Sequence, residues 1–336
     1  MKVIKFGGSS LASATQLEKV LNIVKSDPER RFVVVSAPGK RNDEDTKVTD
    51  ALIKYYKHYT KGVDVKADQE WIINRYQAMV DELGFKSTEM AKIAKSINDL
   101  ATLPIEDNDF LYDTFLAAGE DNNAKLIAEY FRNNGIEARY VHPRQAGIFV
   151  SSEPGNARIL PGAYDKLEEL RESDEVLVIP GFFGVTPDNQ ICTFSRGGSD
   201  ITGSIVSRAV HATCYENWTD VSGFLIADPR IIDNPQPIKT ITYRELRELS
   251  YMGAGVLHED AVFPVRKAGI PINIRNTNAP EDEGTWIVES TCHQSKYTIT
   301  GIAGKKGFVS VNIDKDMMNS EIGFGRKVLS AFEDNG

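Results

Sequence analysis

Short apolar runs alternate with amphipathic segments along most of the chain. Residues 2–6 form a short strand pattern, and residues 32–35 are apolar at every position. A continuous apolar run of this length is typical of a parallel strand buried on both faces. Similar runs follow at residues 138–141, 176–179, 190–194, 212–218 and 270–273. Segments with helical spacing lie between these runs, so the pattern predicts an α/β fold whose mainly parallel sheet is covered by helices.

One long stretch lacks strand signals. Residues from about 50 to 135 are rich in helix formers with a 3.6-residue period, interrupted near Gly62, Gly84 and Pro104. This stretch predicts a helical subdomain inserted between two strands.

The C-terminal tail has a different pattern. Residues 297–303 and 308–313 are typical of two short strands around a glycine turn, and a helix is predicted from about 323 to 333. A fragment of this size has too little core to form a complete domain. We therefore expect that the chain ends inside a second domain.

Composition narrows the function. The chain has 336 residues and a hydrophobic share of 41%, which is ordinary for a packed globular protein, and no apolar stretch is long enough to span a membrane. A net charge of -9 without a basic cluster argues against nucleic-acid binding. Cys192, Cys214 and Cys292 lie far apart, and no two histidines have metal-binding spacing. These features predict a cytoplasmic protein with reduced cysteines and no metal ligands of its own.

The first candidate for chemistry is the segment from Lys5 to Ser9. Gly7 and Gly8 lie between a predicted strand and a helix, where backbone N–H groups and the helix N-terminus favour an anion. A glycine pair alone is more simply a tight turn. Lys5 strengthens the phosphate interpretation, because a lysine within an apolar strand is costly to bury unless an anion is nearby.

Three further clusters combine glycine with charge. Arg196 and Asp200 flank Gly197, Gly198 and Ser199 after a predicted strand, where the arginine can bind a carboxylate or phosphate through two hydrogen bonds. Glu120 follows a glycine, and Asp220 and Asp228 follow the predicted strand at 212–218. Taken singly, each cluster is more simply a turn or a helix cap.

Together, the four clusters resemble the aspartokinase family of the amino-acid kinase fold. The most specific match is the segment of residues 3–11, VIKFGGSSL, and the order and spacing of the other clusters match as far as about residue 290. The resemblance implies a three-layer α/β/α catalytic domain at residues 1–290. It also implies a partial ACT-like α+β regulatory segment at residues 291–336.

The resemblance implies a specific reaction. It is the phosphorylation of the L-aspartate side-chain carboxylate by ATP, giving 4-phospho-L-aspartate and ADP, the first step towards lysine, threonine and methionine. With a reference pKa of about 3.9, that carboxylate is ionised at neutral pH and needs no general base. Catalysis then consists of positioning and charge neutralisation, with Mg²⁺ carried by ATP.

The resemblance also assigns roles to residues. It implies that Lys5 and Asp200 are catalytic. The implied substrate-binding residues are Ser36, Thr49, Glu120, Arg196, Gly197, Gly198 and Ser199. The implied nucleotide-binding residues are Lys5, Phe6, Gly7, Gly8, Ser9, Thr219, Asp220, Leu225, Asp228, Arg230 and Gly255. Glu120 would pair with the substrate ammonium group, and Arg196 with the α-carboxylate.

Two positions depart from the family pattern. Leu225 stands where many relatives have a tyrosine, and Gly255 stands where several have a lysine that faces phosphate. Arg230 and Lys267 are the candidates to replace that missing cation. We expect activity to survive, because Lys5, Arg196 and Asp200 are unaffected.

The resemblance leaves two other functions open. One is a related kinase acting on an N-acylated amino acid, a carbamate or a nucleoside monophosphate, which Glu120 disfavours because an acylated amine has no positive charge. The other is a non-catalytic, amino-acid-binding regulatory subunit. The family further implies a homodimer and feedback by an amino-acid effector through the regulatory segment.

Overall fold

The computed structural model describes residues 1–106, 108–195, 197–251, 257, 259–290, 299–304, 306–307, 309–316, 318 and 321–335. The chain forms two units, Met1–Ala303 and Gly304–Gly336. The domain boundary predicted at residue 290 stays a prediction.

The larger unit is built on an eight-stranded sheet with the strand order β3-β4-β2-β1-β7-β9-β10-β8. The strands of this sheet are β1 (Lys2–Phe6), β2 (Arg30–Val35), β3 (Ala138–Tyr140), β4 (Val176–Pro180), β7 (Cys214–Thr219), β8 (Thr240–Thr242), β9 (Ile272–Asn276) and β10 (Thr285–Val288). Two further strands, β5 (Phe183–Val185) and β6 (Ile191–Thr193), lie outside it. All neighbouring pairs in this sheet are parallel except β9 and β10. The predicted mainly parallel sheet is therefore confirmed.

The strand prediction needs two corrections. The run predicted at residues 190–194 contains β6, but β6 pairs with β5 in a separate antiparallel hairpin and not with the central sheet. The pattern also missed β5, β8 and β10, each of which has only three or four residues.

Helices cover both faces of the sheet. In the larger unit they are α1 (Ala14–Lys25), α2 (Val48–Thr60), α3 (Lys66–Leu83), α4 (Met90–Asp99), α5 (Leu111–Asn133), α6 (Pro143–Ala146), α7 (Ala163–Glu168), α8 (Gly198–Ala209), α9 (Tyr243–Tyr251) and α10 (Glu259–Lys267), with 3-10 turns at Gly8–Leu11, Leu100–Thr102 and Glu169–Glu172. The smaller unit has the helix α11 (Phe324–Glu333). The predicted helical subdomain corresponds to α2–α5.

Alternate side chains of the central strands enter two separate cores. On β2, Val33 and Val35 pack with α1–α5, whereas Phe32 and Val34 pack with α8 and α10 on the opposite face. Because successive strand residues point to opposite faces, an apolar run buries both. The resulting helix, sheet and helix layers confirm the three-layer architecture.

The topology brings three loops to one edge of the sheet. Strands β2, β1 and β7 are parallel neighbours that end at Val35, Phe6 and Thr219. In open α/β sheets, ligands bind outside the carboxyl ends of the strands. This edge is where the predicted site residues lie.

The smaller unit contains α11, which confirms the helix predicted near residues 323–333. No described residue in the predicted strands at 297–303 and 308–313 is assigned to a strand, and residues 297, 298 and 308 lie outside the described residues. Within the described parts of the chain, every helix is too short or too polar to cross a membrane.

Candidate active site

A buried ion pair lies at the carboxyl edge of the sheet. Lys5, on β1, is 8% exposed, and its Nζ atom lies 2.6 Å from Asp200 Oδ1. Asn217 is the register partner of Lys5 on β7 and donates from Nδ2 to the same carboxylate oxygen at 2.8 Å. Two donors on adjacent strands therefore fix the orientation of Asp200 at the start of α8.

The glycine turn after β1 lies beside this ion pair. The Gly7 N–H donates to the Trp218 carbonyl at 3.1 Å, which joins the turn to the end of β7. A Cβ atom added to Gly7 would lie 3.5 Å from Lys5 Nζ, so the ammonium group is next to the turn. This is the combination of cation and glycine backbone that suits a phosphate group.

A second backbone approaches the turn closely. The Gly39 N–H donates to the Gly8 carbonyl at 2.8 Å, and a Cβ atom at Gly39 would lie only 2.6 Å from the Gly8 carbonyl carbon. Only glycine at position 39 lets the loop after β2 pack against the loop after β1. The two strand-end loops thus form one continuous surface.

Arg75, on α3, forms hydrogen bonds with the backbone of both chain segments that follow β1 and β2. Its guanidinium is buried and donates to the Ala12 carbonyl at 2.7 Å and the Gly39 carbonyl at 3.0 Å. Asp45 lies 3.4 Å away and also binds Arg41 through both carboxylate oxygens. The charged loop between Gly39 and α2 is therefore tied to α3.

Replacing Arg75 by methionine is expected to lower the free energy of unfolding by about 3 kcal/mol, because buried hydrogen bonds to a charged group are lost and two carbonyls remain unsatisfied. Urea unfolding measures this change. Arg75→Lys is the matched variant, since it keeps the charge but not the planar fork that reaches both carbonyls. An unchanged unfolding midpoint for the methionine variant would contradict the role given to Arg75.

Glu120 is the buried carboxylate of the site. It lies on α5 and is 6% exposed, and its Oε2 atom has no hydrogen-bond partner. Burial raises the pKa of Glu120 to about 7, although the Ala37 backbone N–H and the charge of Lys5 act in the opposite direction. A buried carboxylate oxygen with no partner is suited to a cationic group of a ligand.

Two cavities open at this edge of the sheet, and Ser36 lines both. The first has a volume of about 430 Å³ and contains Lys5 and Asp200 together with the segment from Gly197 to Ser199. The second has a volume of about 630 Å³ and contains Gly8, Ser9, Thr49, Glu120 and Asp220. Most of the predicted site residues are therefore brought together around Ser36.

Six of the described residues that were predicted to bind the nucleotide line neither cavity: Phe6, Gly7, Thr219, Leu225, Asp228 and Arg230. Phe6 is fully buried and stacks on Trp218, so its side chain belongs to the core. Leu225 is 39% exposed, and Asp228 forms an ion pair with the exposed Arg230. Hydrogen bonds from Arg230 lower the pKa of Asp228 to about 2.

The other predicted residues differ in how far the structure describes them. Thr219 ends β7, and its hydroxyl donates to Asp220 at 3.1 Å. Arg196 and Gly255 lie outside the described residues, so their roles stay predictions.

Several residues of the site were not predicted from the sequence. Asn217 was one, although an asparagine inside a buried strand is a detectable signal, as Lys5 was. Asp113 was another: it is 1% exposed, and its carboxylate accepts hydrogen bonds from the backbone N–H groups of Gly155 and Thr193 at the first cavity. Asp113 is a charged residue in a segment with an amphipathic helical pattern, where a charge is not unusual, so the sequence did not single it out.

This fold and this site define a kinase of small molecules. A parallel α/β sheet ends in glycine loops, a buried lysine and carboxylates, and the lining groups suit a phosphate on one side and an ammonium group on the other. The profile of the amino acid kinase family matches residues 1–276.

Comparison with known proteins assigns the chain to a narrower group within this family. It is similar to "Aspartokinase 3" of Bacillus subtilis, with 48% identity over all of this chain and 74% of that protein. It is also similar to the crystal structure of Clostridium acetobutylicum aspartate kinase, described as an allosteric enzyme, with 42% identity and a TM-score of 0.83 over 99% of this chain and 73% of that one. The chain belongs to the aspartokinases of the amino acid kinase family.

A more distant similarity carries ligand information. E. coli aspartokinase III, solved with aspartate and ADP in the R-state, is 26% identical with a TM-score of 0.75 over 87% of this chain. The same enzyme was solved with lysine and aspartate in the T-state. This chain covers 65% of that protein.

Proposed function

We propose that this chain transfers the γ-phosphoryl group of ATP to the side-chain carboxylate of L-aspartate. The observation that carries the proposal is the arrangement around Ser36: a buried lysine at a glycine turn lines one cavity, and a buried glutamate with one unpartnered carboxylate oxygen lines the other. The family membership and the aspartate and ADP bound to the E. coli relative support the same reaction.

Lys5 neutralises charge on the transferred phosphoryl group. The barrier to this reaction is the approach of one anion to another, and a fixed cation lowers it without needing to reorganise. Asp200 and Asn217 hold Lys5 in place before ATP binds. Asp200 is thus a positioning residue for Lys5 as well as a charged group of the first cavity.

ATP enters such sites with Mg²⁺ bound to its phosphates. Asp200 lines the first cavity and Asp220 the second, and carboxylate oxygens of this kind would suit the Mg²⁺ that ATP brings. When bound, the ion neutralises charge on the phosphate oxygens. The chain itself supplies the lysine and the backbone N–H groups of Gly7 and Gly8.

The acceptor is recognised by its own charges. Glu120 pairs with the α-ammonium group, and Ser36 and Thr49 face the second cavity as hydroxyl partners. The family pattern gives Arg196 to the α-carboxylate, with Gly197, Gly198 and Ser199 beside it. These assignments predict that a free amino acid binds and that an N-acylated one does not.

Glu120 makes L-aspartate binding depend on pH. Its pKa is raised to about 7, so the carboxylate is largely neutral at pH 6 and charged at pH 8. Only the charged form attracts an ammonium group, so the KM for L-aspartate is expected to fall as pH rises through 7. Steady-state kinetics between pH 6 and 8 measure this.

The matched control for this pH dependence is Glu120→Gln, which keeps the shape and removes the titration. It is expected to have a high, nearly pH-independent KM for L-aspartate. If the variant kept the pH dependence of the native chain, another group would be responsible.

The nucleotide is proposed to bind along the end of β7. Asp220 lines the second cavity together with Gly8 and Ser9, and Thr219 precedes it at the end of β7. Leu225, Asp228 and Arg230 lie on a more exposed surface further along the chain. On that surface, Arg230 donates hydrogen bonds to the Asp228 carboxylate. Gly255 remains a family-based assignment.

Three wider properties are also proposed. Cys192 and Cys214 are buried free thiols, which supports a reducing, cytoplasmic location. The family supports a homodimer, which sedimentation at several concentrations tests. The lysine complex of the E. coli relative supports feedback by an amino acid through a regulatory segment at residues 291–336.

The direct test of the reaction is to identify its product. An acyl phosphate reacts with hydroxylamine to give a hydroxamate, so purified chain, Mg-ATP, L-aspartate and hydroxylamine should yield aspartyl hydroxamate in proportion to ADP. ADP formation without hydroxamate would mean ATP hydrolysis or a different acceptor. The Glu120→Gln variant should lose both products together at low L-aspartate.

A further inference from the structure

Asn123 is a fully buried polar residue that the mechanism does not use. It lies on α5, one helical turn after Glu120, and is 0% exposed. Its Nδ2 atom donates to the Ser36 carbonyl oxygen at 2.7 Å across 87 residues of sequence. Burying an amide is costly unless it makes hydrogen bonds, so this contact needs an explanation.

The direction of this hydrogen bond is fixed by chemistry. The Ser36 carbonyl can only accept, so the amide must present its NH₂ group. The opposite orientation would bring two acceptor oxygens together. Asn123 Oδ1 is then left buried without a partner, so the hydrogen bond to Ser36 is the only one that the side chain makes among the described residues.

With this contact, both backbone polar groups of Ser36 are hydrogen-bonded. The Ser36 N–H donates to the Phe6 carbonyl on β1 at 3.3 Å, and its carbonyl accepts from Asn123. The N–H of the same peptide group belongs to Ala37 and faces the Glu120 carboxylate. Two side chains one turn apart on α5 therefore act on the single peptide group between Ser36 and Ala37.

The space around this peptide group leaves little room for it to rotate. A Cβ atom at Gly119 would lie 2.8 Å from the Ala37 side chain, so α5 and the loop are in close contact. The Gly119 carbonyl is in turn held by the Tyr76 hydroxyl at 2.8 Å. Among the described residues, Ser36 alone lines both cavities.

We propose that Asn123 is a positioning residue that orients Ser36 for binding of the amino-acid acceptor. Asn123 lines neither cavity and acts only through the Ser36–Ala37 peptide group. This inference rests on the proposed function, because it assumes that Ser36 contacts the acceptor. It predicts that the loss of Asn123 affects acceptor binding and leaves nucleotide binding unchanged.

The test is a double-mutant cycle between Asn123 and Ser36. Asn123→Asp replaces the donor by an acceptor of the same shape, and Asn123→Leu removes it without introducing a charge. Each is expected to raise the KM for L-aspartate about tenfold, a value typical of one hydrogen bond, with the KM for ATP within about twofold of the native value. In a Ser36→Ala background the same substitutions should change the KM for L-aspartate less than about twofold.

Asn122→Asp is the matched control for general damage to α5. Asn122 is equally buried, but its Oδ1 accepts from Ser96 and does not contact Ser36. This variant is expected to lower the unfolding midpoint and leave the KM for L-aspartate unchanged. Comparable effects of Asn122→Asp and Asn123→Asp on that KM would overturn the proposal, as would additive effects of Asn123 and Ser36 substitutions.

Calorimetric binding of L-aspartate separates this inference from the proposed function. If the native chain neither binds nor phosphorylates L-aspartate, the proposed function fails and the role of Asn123 fails with it. If the native chain is active and the cycle is additive, only the role of Asn123 is wrong. If Asn123→Asp or Asn123→Leu does not fold, the double-mutant cycle is measured with the other variant.

Discussion

Replacing Lys5 by alanine is expected to lower kcat by about 10²- to 10³-fold, the loss typical of removing one fixed donor to a developing negative charge. Lys5 is 8% exposed and lies beside the glycine turn, so no other described side chain takes its position. The KM for L-aspartate should change far less, because Glu120 and Ser36 are not altered. Steady-state ADP release at saturating substrates measures kcat.

Lys66→Ala is the control for the loss of a positive charge. The Lys66 side chain is 76% exposed at the start of α3, and its contact with Glu70 is a surface ion pair at 3.9 Å. Such pairs contribute little to stability, so this variant should keep native activity. Equal kcat values for the Lys5 and Lys66 variants would mean that Lys5 does not participate in the reaction.

Replacing Gly39 by alanine is expected to have the second-largest effect. The added methyl group would lie 2.6 Å from the Gly8 carbonyl carbon and 2.9 Å from the Ser9 nitrogen, so one of the two loops must shift. Overpacking of this kind costs about 1–3 kcal/mol, which corresponds to a KM for ATP raised about tenfold or more if the strain falls on the glycine turn. ATP titrations at saturating L-aspartate measure this.

Gly162→Ala is the matched control for this substitution. Gly162 has a φ of -70°, and a Cβ atom there would meet no atom within 4 Å. It should therefore leave both the KM for ATP and the unfolding midpoint unchanged. A native KM for ATP in the Gly39 variant would show that the contact between the two loops is not needed for nucleotide binding.

The sheet could be predicted because its central strands are buried on both faces. The run at residues 32–35 is apolar at every position, and such a run has few alternatives in an α/β protein. Strands β8 and β10 could not be predicted, since three- and four-residue segments carry almost no periodicity. Residues 309, 311 and 313 alternate like a strand, yet Val309 is 85% exposed, because alternation does not specify a pairing partner.

The site was predictable where a residue contradicts its local pattern. Lys5 is a charge inside an apolar strand, and Gly7 and Gly8 follow it directly, so the signal is local. Asn123 and Arg75 gave no such signal, because polar residues are common on amphipathic helices. Their partners are distant in sequence: Ser36 is 87 residues from Asn123, and Gly39 is 36 residues from Arg75. Only the packing of α3 and α5 against the strand-end loops reveals these roles.

The most direct test of the reaction is ADP release by the purified chain with Mg-ATP and one acceptor at a time. The acceptors are L-aspartate, L-glutamate, N-acetylglutamate and UMP, each also measured with the Lys5→Ala variant. We predict turnover with L-aspartate alone, abolished or reduced at least about a hundredfold in the variant. Turnover with N-acetylglutamate or UMP, or no turnover with any acceptor, would contradict the assignment of this chain as an L-aspartate kinase.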